Sequence, residues 1–579
     1  KLRIKVLTPK HLGELPWSGR TGLKFAKKIS DHLYASKSTI IFVNTRAQAE
    51  KWFEALLVEK SNEESLLKHH HGSLETSFRH EAEEGLKTGK VRWVIATSSL
   101  DLGVDFPLVE EVIQVASPKT VRRMIQRGGR AKHTPESKST LLILPTNPFD
   151  VLEIEGLISQ YEKEIVEKVK SPSLSFDVLI QHLIASSISQ PFEYQETYKR
   201  IKSVYPFKNL SENEFANVIQ FLVTGGKALK KYPEYHKLIL DNGKYTFHNI
   251  KKAGFARLQM GVIPSETSIT VQLQRGKKLG TVDEKFIARI PKGYAFQIAG
   301  RWVELLSLVE DKAVVKISTK TPNPLSVWQG SAMPLESDLT EAIHKQLRTF
   351  QSPIAKEIIK IQEKVSLVPK PHQYLFERAK TKEGSHLFFY PFKNRKIHMG
   401  LCSLFSYRLT KMQKGTFLSC VNDFGLEILS PKPFKVDYAD LLSTENLEDD
   451  LFASVNLSAV AERKFRDIAN IGGLLVKGYP GKRKTVRQLQ ISSHTLFEVL
   501  KSYDPDNILL KQAFQEALDE EFHLDELRAF LKNAKDNWIV KELKNLSPFS
   551  LPLYLEATTH EMSSESIDER IDRITQEWT

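Results

Sequence analysis

The sequence predicts a multidomain α/β protein that opens with a doubly wound parallel sheet and continues through helical, β-rich and mixed segments. Three observations carry that expectation. The chain is 579 residues long, far more than one hydrophobic core organises. Its first 150 residues alternate short apolar, β-branched runs with amphipathic stretches, the spacing of strand–helix units in a parallel sheet. Beyond residue 150 the pattern changes twice, first to helices closed by a hairpin and then to short strands and turns.

The strands follow in order. "TIIFV", within residues 38–57, is continuously apolar and leads into an amphipathic helix, as a strand buried on both faces does. "VRWVIATSSLDLGVDF" (91–106), "EEVIQVASP" (110–118) and "STLLILPT" (139–146) repeat the strand-then-loop pattern, with helical segments such as "TSFRHEAEEGLKTG" between them. Composition narrows the class. With 41% hydrophobic and 26% charged residues the chain is neither disordered nor membrane-embedded, and no apolar run approaches the roughly 20 residues a bilayer span needs. Its first residues, "KLRIKVLTPK", lack the layout of a signal peptide. Two cysteines, Cys402 and Cys420, exclude a disulfide framework and a four-cysteine metal site. A reducing cytoplasm is the expected compartment. The net charge of +13 favours a polyanionic partner through counterion release.

Open parallel sheets place their ligands at the C-terminal ends of the strands, and the polar residues gather there. Asn44, Thr45 and Arg46 end the first run; His71, Gly72 and Ser73 lie in "HHHGSL"; Thr97, Ser98, Gly103 and Asp105 follow "VIA"; Gln126, Arg127 and Arg130 lie in "MIQRGGRAKH". In this order and spacing, "IIFVNTR", "HHHGSL", "ATSSLDLGVD" and "QRGGRAKH" resemble motifs IV, the adjoining His-Gly block, V and VI of the second RecA-like domain of a superfamily 2 helicase. The wording of the middle blocks is closest to the large helicase-related, or Lhr-type, proteins. The resemblance implies that Arg127 and Arg130 are arginine fingers reaching the γ-phosphate of ATP, a task suited to a planar guanidinium that donates several hydrogen bonds. It implies a nucleotide-side role for Gly103, Asp105 and Gln126. It also implies that Thr45, Arg46, His71, Gly72, Thr97 and Ser98 hold the sugar-phosphate backbone of a single strand without reading its bases.

A helicase motor hydrolyses ATP between two lobes, the first carrying a glycine-rich phosphate loop and an acidic box for magnesium. The Gly-Lys pairs at Gly89, Gly226, Gly243, Gly276 and Gly481 are followed by Val, Ala, Tyr, Lys and Arg, so none completes a phosphate loop. ATP and Mg2+ are therefore expected to be held mainly by a first RecA-like lobe missing from this sequence, which reads as a C-terminal portion. The chain alone is expected not to hydrolyse ATP, and the intact protein to do so.

The expected division is a second RecA-like domain over 1–150, a winged helix over 151–250, a β-barrel-like domain over 251–335 and an α+β accessory region over 336–579. "SFDVLIQHLIASSIS", "YQETYKRIKSVYPF" and "SENEFANVIQFLVTGG" are helical, the last with a Ser211/Glu214 capping box, and "HKLILDNGKYTFHN" is a hairpin turning at Asn242 and Gly243. Such a module binds duplex or acts as a spacer. Trp328, in "NPLSVWQGSAMPL", either stacks on a base or anchors the β-rich unit to the next helix; the resemblance implies the former. His386 and His398 near Cys402 have apolar neighbours and no standard ligand spacing, so they read as structural. The later blocks, among them "IGGLLVKGYPGKRKTVRQLQISS" and "SPFSLPLYLEA", resemble most the ligase-associated DEXH-box helicases, a bacterial Lhr-type branch. That resemblance implies a DNA repair helicase or translocase, 3′ to 5′, acting on single-stranded or partly duplex DNA. It also implies an ATP-dependent DNA ligase and a metallo-β-lactamase-fold nuclease as possible partners. An RNA or RNA–DNA hybrid helicase, or a binding scaffold without a motor, are the alternatives.

Overall fold

In the computed structural model the described residues are 2–19, 21–34, 36–101, 105–131, 139–169, 171–262, 268–274, 276–283, 293–299, 301–309, 312–318, 333–454, 457–475, 478–479, 482–483, 486–558 and 566–578. They form two compact units. The first comprises Lys1–Lys168, Thr267–Thr444 and Phe530–Thr579, the second Val169–Glu266 and Glu445–Ala529. The units thus interleave along the chain, whereas the sequence reading cuts it into four consecutive segments.

The first unit opens with β1 (Arg3–Val6), α1 (Ala26–His32), β2 (Ser38–Phe42), α2 (Arg46–Glu59), β3 (Leu67–His70), α3 (Thr76–Thr88), β4 (Trp93–Ala96), β5 (Val109–Val115), α4 (Val121–Gly128), β6 (Thr140–Leu144) and α5 (Pro148–Glu162). The six strands form a sheet ordered β1-β6-β5-β2-β4-β3, parallel throughout. The four apolar runs legible in the sequence are its four central strands. β2 and β4 are buried at every position, because helices cover both faces of such a sheet. The two edges, β1 and β3, carry alternating charge or histidine. Helix starts are chemically marked: Thr45 and Gln48 form a capping box on α2, Asn147 caps α5 ahead of a first-turn proline, and Thr120 caps α4.

One residue of the glycine pair in "RGGR" has a packing reason. A Cβ on Gly128 would stand 2.6 Å from a methyl of Leu2, so a side chain at that position would require the Leu2 side chain to move.

The second unit begins with α6 (Phe176–Ser189), α7 (Tyr194–Lys202) and α8 (Glu212–Thr224), then a hairpin of β7 (Leu238–Asp241) and β8 (Lys244–Phe247). Ser211 and Glu214 form the expected capping box. Asn242 and Gly243 both have positive φ, 48° and 78°, as a type I′ hairpin turn requires. This is the winged-helix order of elements. Back in the first unit, β9 (Ser268–Leu273), β10 (Lys278–Asp283), β11 (Ala295–Ile298), β12 (Arg301–Val309) and β13 (Lys312–Ile317) form a sheet ordered β10-β9-β13-β12-β11 around Val271, Phe296, Val303 and Val315. Among the described residues its edges β10 and β11 do not pair with each other.

A third sheet, of β14 (Tyr374–Lys380), β15 (Ser385–Tyr390), β16 (Leu418–Val421) and β17 (Leu426–Ser430), is completed from far along the chain. After the short pair β18 (Gly478–Tyr479) and β19 (Lys482–Arg483) in the second unit, β20 (Trp538–Glu542) returns to lie parallel to β14. No helix among the described residues is long and apolar enough to cross a membrane.

The histidines of this region are used inside the fold. His386 lies with Nδ1 2.6 Å from Glu427 Oε1. His398 has Nδ1 2.8 Å from the Asn422 carbonyl, and its Nε2 accepts the Lys393 amide at 3.2 Å. Burial pushes His398 down to about 4. It does the same to His344, whose ring stacks on Phe392 at 4.6 Å.

Both imidazoles are neutral in the folded state at neutral pH, while in the unfolded chain they titrate near 6.5. Their contribution is complete above about 6.5 and is lost as pH falls toward 4, on the order of 3 kcal/mol each at the acid limit. Urea midpoints should therefore drop between pH 7 and pH 4.5, and drop less in a His344→Phe variant. Equal slopes for the two proteins contradict a buried neutral His344.

Candidate functional site

The C-terminal ends of β2, β4 and β5 meet α4, and a single carboxylate organises the junction. Asp101, 6% exposed, follows the short turn after β4. Its Oδ1 accepts Arg127 Nε at 2.9 Å, its Oδ2 lies 3.4 Å from Arg123 Nε, and its backbone carbonyl accepts Arg130 Nη2 at 2.7 Å. Arg123 and Arg127 are four apart on α4 and so share a helix face. Arg130 follows in the turn beyond it.

Arg127 is not at the surface. It is 1% exposed, and its Nη1 also donates to Gln114 Oε1 at 2.6 Å and Asn44 Oδ1 at 3.2 Å, with the guanidinium 4.8 Å from the Phe42 ring centroid. Burial pushes its pKa down to about 10 against the pull of Asp101, so it stays charged at neutral pH. The expectation that Arg127 reaches out to a phosphate meets a physical obstacle: its donors already tie three strand ends together. Arg130 is partly exposed and is held by the backbone carbonyl of the same Asp101. Arg123, Asp101 and Gln114 were not singled out from sequence, although Asp101 stands inside the "SSLDLGVD" block.

The remaining predicted residues divide into rim and support. Arg46 and Gly72 are exposed, and Arg46 Nη1 donates to Ser73 Oγ at 2.7 Å. Thr45 is half-buried, with Oγ1 accepting the Gln48 amide at 3.1 Å. Ser98 is exposed beside Thr97, which is 5% exposed and whose amide donates to the His70 carbonyl. Asp105 and Gln126 are exposed. Gly103 and Trp328 lie outside the described residues.

His71 is inside, at 1% exposure, which removes its side chain from a strand running over the rim. Its Nε2 lies 3.0 Å from Glu50 Oε1, an oxygen that also accepts the Ala299 amide at 2.7 Å, and His69 Nε2 lies 3.6 Å from Glu50 Oε2. These three side chains fall within 4.8 Å of one another. Burial raises the Glu50 carboxyl, but the two imidazoles outweigh it and hold it well below the usual range; burial likewise lowers His71. The block also docks by backbone: Thr281 N–H donates to Ser73 O at 2.7 Å, and a Cβ on Gly280 would stand 1.9 Å from that same oxygen. Ser73 thus joins the first sheet to β10, and Glu50, the partner of His71, joins it to the turn between β11 and β12, leaving Gly72 and Arg46 at the surface.

Comparison with known proteins bears on this geometry. Three family models match: "Helicase conserved C-terminal domain" over residues 24–134, "Large helicase-related protein, winged helix domain" over 159–325, and "DEAD/H associated" over 368–550. An ATP-dependent helicase Lhr-Core protein 2 of Thermococcus barophilus is 28% identical over 96% of this chain and 68% of its own length. An ATP-dependent helicase Lhr-Core of Methanocaldococcus jannaschii is 28% identical over 92% of this chain and 64% of its own. The chain thus spans about two thirds of these relatives. In fold it is similar to the Mycobacterium smegmatis helicase Lhr bound to ssDNA and AMP-PNP, with a TM-score of 0.69 at 22% identity, covering 97% of this chain and 71% of that one.

Removing Arg127 leaves the buried Asp101 carboxylate with only the longer Arg123 pairing and strips Gln114 Oε1 and Asn44 Oδ1 of their shared donor, a loss on the order of 3 kcal/mol. Arg127→Ala should lower the denaturation midpoint of the chain sharply, while Arg130→Ala, at a partly exposed position, should shift stability by no more than about 1 kcal/mol. Equal destabilisation by the two variants, read in urea melts, would contradict the division between them.

Proposed function

Because this chain belongs to the Lhr-type superfamily 2 helicases, we propose that it forms the C-terminal part of an ATP-dependent DNA helicase or translocase that tracks one strand 3′ to 5′ in DNA repair. The observation that carries the reading is the pair of half-buried arginines, Arg123 and Arg130, gathered on Asp101 at the strand ends of a parallel sheet. Such a cluster suits phosphoryl oxygens, whose charge a guanidinium neutralises through paired hydrogen bonds. It does not suit magnesium, because the Asp101 carboxylate is already engaged by two guanidinium groups. Mg2+ and most of the ATP therefore belong to a lobe bearing the phosphate loop.

In this reading bound ATP supplies the driving force, and each residue here has a limited task. Arg130 donates to the terminal phosphoryl group as the finger. Arg127 acts one step back as a positioning residue, fixing Asp101 so that Arg130 and Arg123 keep their places. Asp105 and Gln126 face the nucleotide side, with Gly103 assigned there by its motif. Arg46, Gly72, Thr45 and Ser98 contact the backbone of the strand, while Thr97 and His71 support that rim from inside. The single strand on the related mycobacterial helicase supports DNA as the ligand, and Trp328 remains a base-stacking candidate on its motif. Placement in repair, beside an ATP-dependent ligase and a metallo-β-lactamase-fold nuclease, rests on the resemblance of the C-terminal blocks to the ligase-associated branch.

In the full-length protein, Arg130→Ala should lower DNA-stimulated ATP turnover by about 10^3-fold, the usual scale for an arginine finger, and leave single-strand affinity nearly unchanged. The isolated 579-residue chain should bind single-stranded DNA and show no ATP turnover. Turnover by that chain overturns the two-lobe reading; an unaffected Arg130→Ala enzyme overturns the finger.

A further inference from the structure

Residues 116–120 join β5 to α4, and their backbone is strained. Ala116 and Lys119 have φ of 63° and 70°, in the left-handed region that side chains other than glycine rarely adopt, at a cost of about 1–3 kcal/mol each. Strain of this kind persists only where the surroundings hold it. Gln114 Nε2 donates to the Ala116 carbonyl at 3.2 Å, Asn44 Nδ2 to the Ser117 carbonyl at 2.7 Å, and the Lys119 amide to Ser117 Oγ at 3.2 Å. Gln114 and Asn44 are the two side chains that also accept from Arg127.

The fourth hold comes from distant sequence. Lys119 Nζ donates to both oxygens of Glu153 on α5, at 2.9 and 2.8 Å, and to Asp423 Oδ2 at 3.2 Å. Asp423 stands in the turn between β16 and β17, and its side chain is 3% exposed. That turn is itself fixed. Asn422 Oδ1 accepts the amides of Phe424 and Gly425, both at 2.9 Å; the Phe424 ring lies 4.6 Å from Phe149; and a Cβ on Gly425 would stand 2.4 Å from the Phe389 carbonyl.

We infer that Lys119 and Asp423 are positioning residues through which the C-terminal sheet region sets the arginine-bearing helix α4. The contact chain is continuous. It runs from Asp423 to Lys119, through the strained loop to Gln114 and Asn44, and from them to Arg127, Asp101 and Arg130. Removing the Asp423 carboxylate loosens one of the holds on a loop that is otherwise costly, and the loop relaxes with α4 attached to it. The inference rests on the proposed finger role of Arg130 and adds to it a long-range support that no motif contains.

The test uses the full-length protein carrying Asp423→Ala, Asp423→Asn or Lys119→Met, each alone and combined with Arg130→Lys, at a temperature well below every variant's thermal midpoint. Each single change at Asp423 or Lys119 should lower the DNA-stimulated kcat about tenfold, the upper range for a coupling contact, with KM for ATP and single-strand affinity unmoved. In the Arg130→Lys background the same changes should cost no more than about twofold, because the finger they act through is already blunted. An unchanged kcat, a lowered midpoint with full kcat in the folded enzyme, or the same tenfold loss in the Arg130→Lys background each overturns the inference. If Arg130→Lys alone leaves kcat intact, the finger assignment fails and takes this inference with it.

Discussion

A guanidinium sealed between strand ends is costly to place there, since removing a cation from water carries a penalty of several kcal/mol unless its partners replace the lost hydration. Arg127 is placed so that they do. Asp101 supplies the counter-charge, Gln114 and Asn44 supply neutral acceptors, and the Phe42 ring supplies a polarisable face. Each partner comes from a different segment: the turn after β4, β5 itself and the end of β2. One side chain from the last turn of α4 therefore ties together three segments of the sheet's rim, and Arg123 and Arg130 take their places from the Asp101 it holds.

Legibility followed chemistry. The central strands announced themselves because a strand covered on both faces must be apolar along its length. β1 and β3 did not, since "RIKV" and "LKHH" lie at the edges, where one flank meets solvent or a neighbouring element. Winged-helix elements and caps were readable because Ser211, Glu214, Asn242 and Gly243 act within a few residues of themselves. Pairings across hundreds of residues, such as β14 with β20 or Lys119 with Asp423, leave no local trace.

At the site, the four motif blocks located the rim, but residue type did not separate surface from interior. Arg127 and Arg130 look alike in "QRGGR", and only burial distinguishes a structural guanidinium from one near the surface. The same holds for His71. An imidazole beside a glycine at a strand end suggested a nucleic-acid contact, but in the fold it faces Glu50, and the backbone around it carries β10. Asp101 escaped notice because a lone aspartate in a loop has no signature until its arginines are placed around it.

The second unit is assembled from two excursions of the chain, Val169–Glu266 and Glu445–Ala529, with residues 267–444 lying between them in the first unit. Asp177 on α6 is bonded to Gln512 from the later excursion, at 2.8 Å, and Ile184 packs beside Gly473. During synthesis the apolar flank of α6 therefore waits for its cover. At ~5–20 residues per second the intervening stretch alone takes on the order of 10 to 40 seconds, long compared with the time in which three helices and a hairpin collapse. The winged-helix module must endure that interval with an unfinished surface, a period in which a chaperone has something to hold.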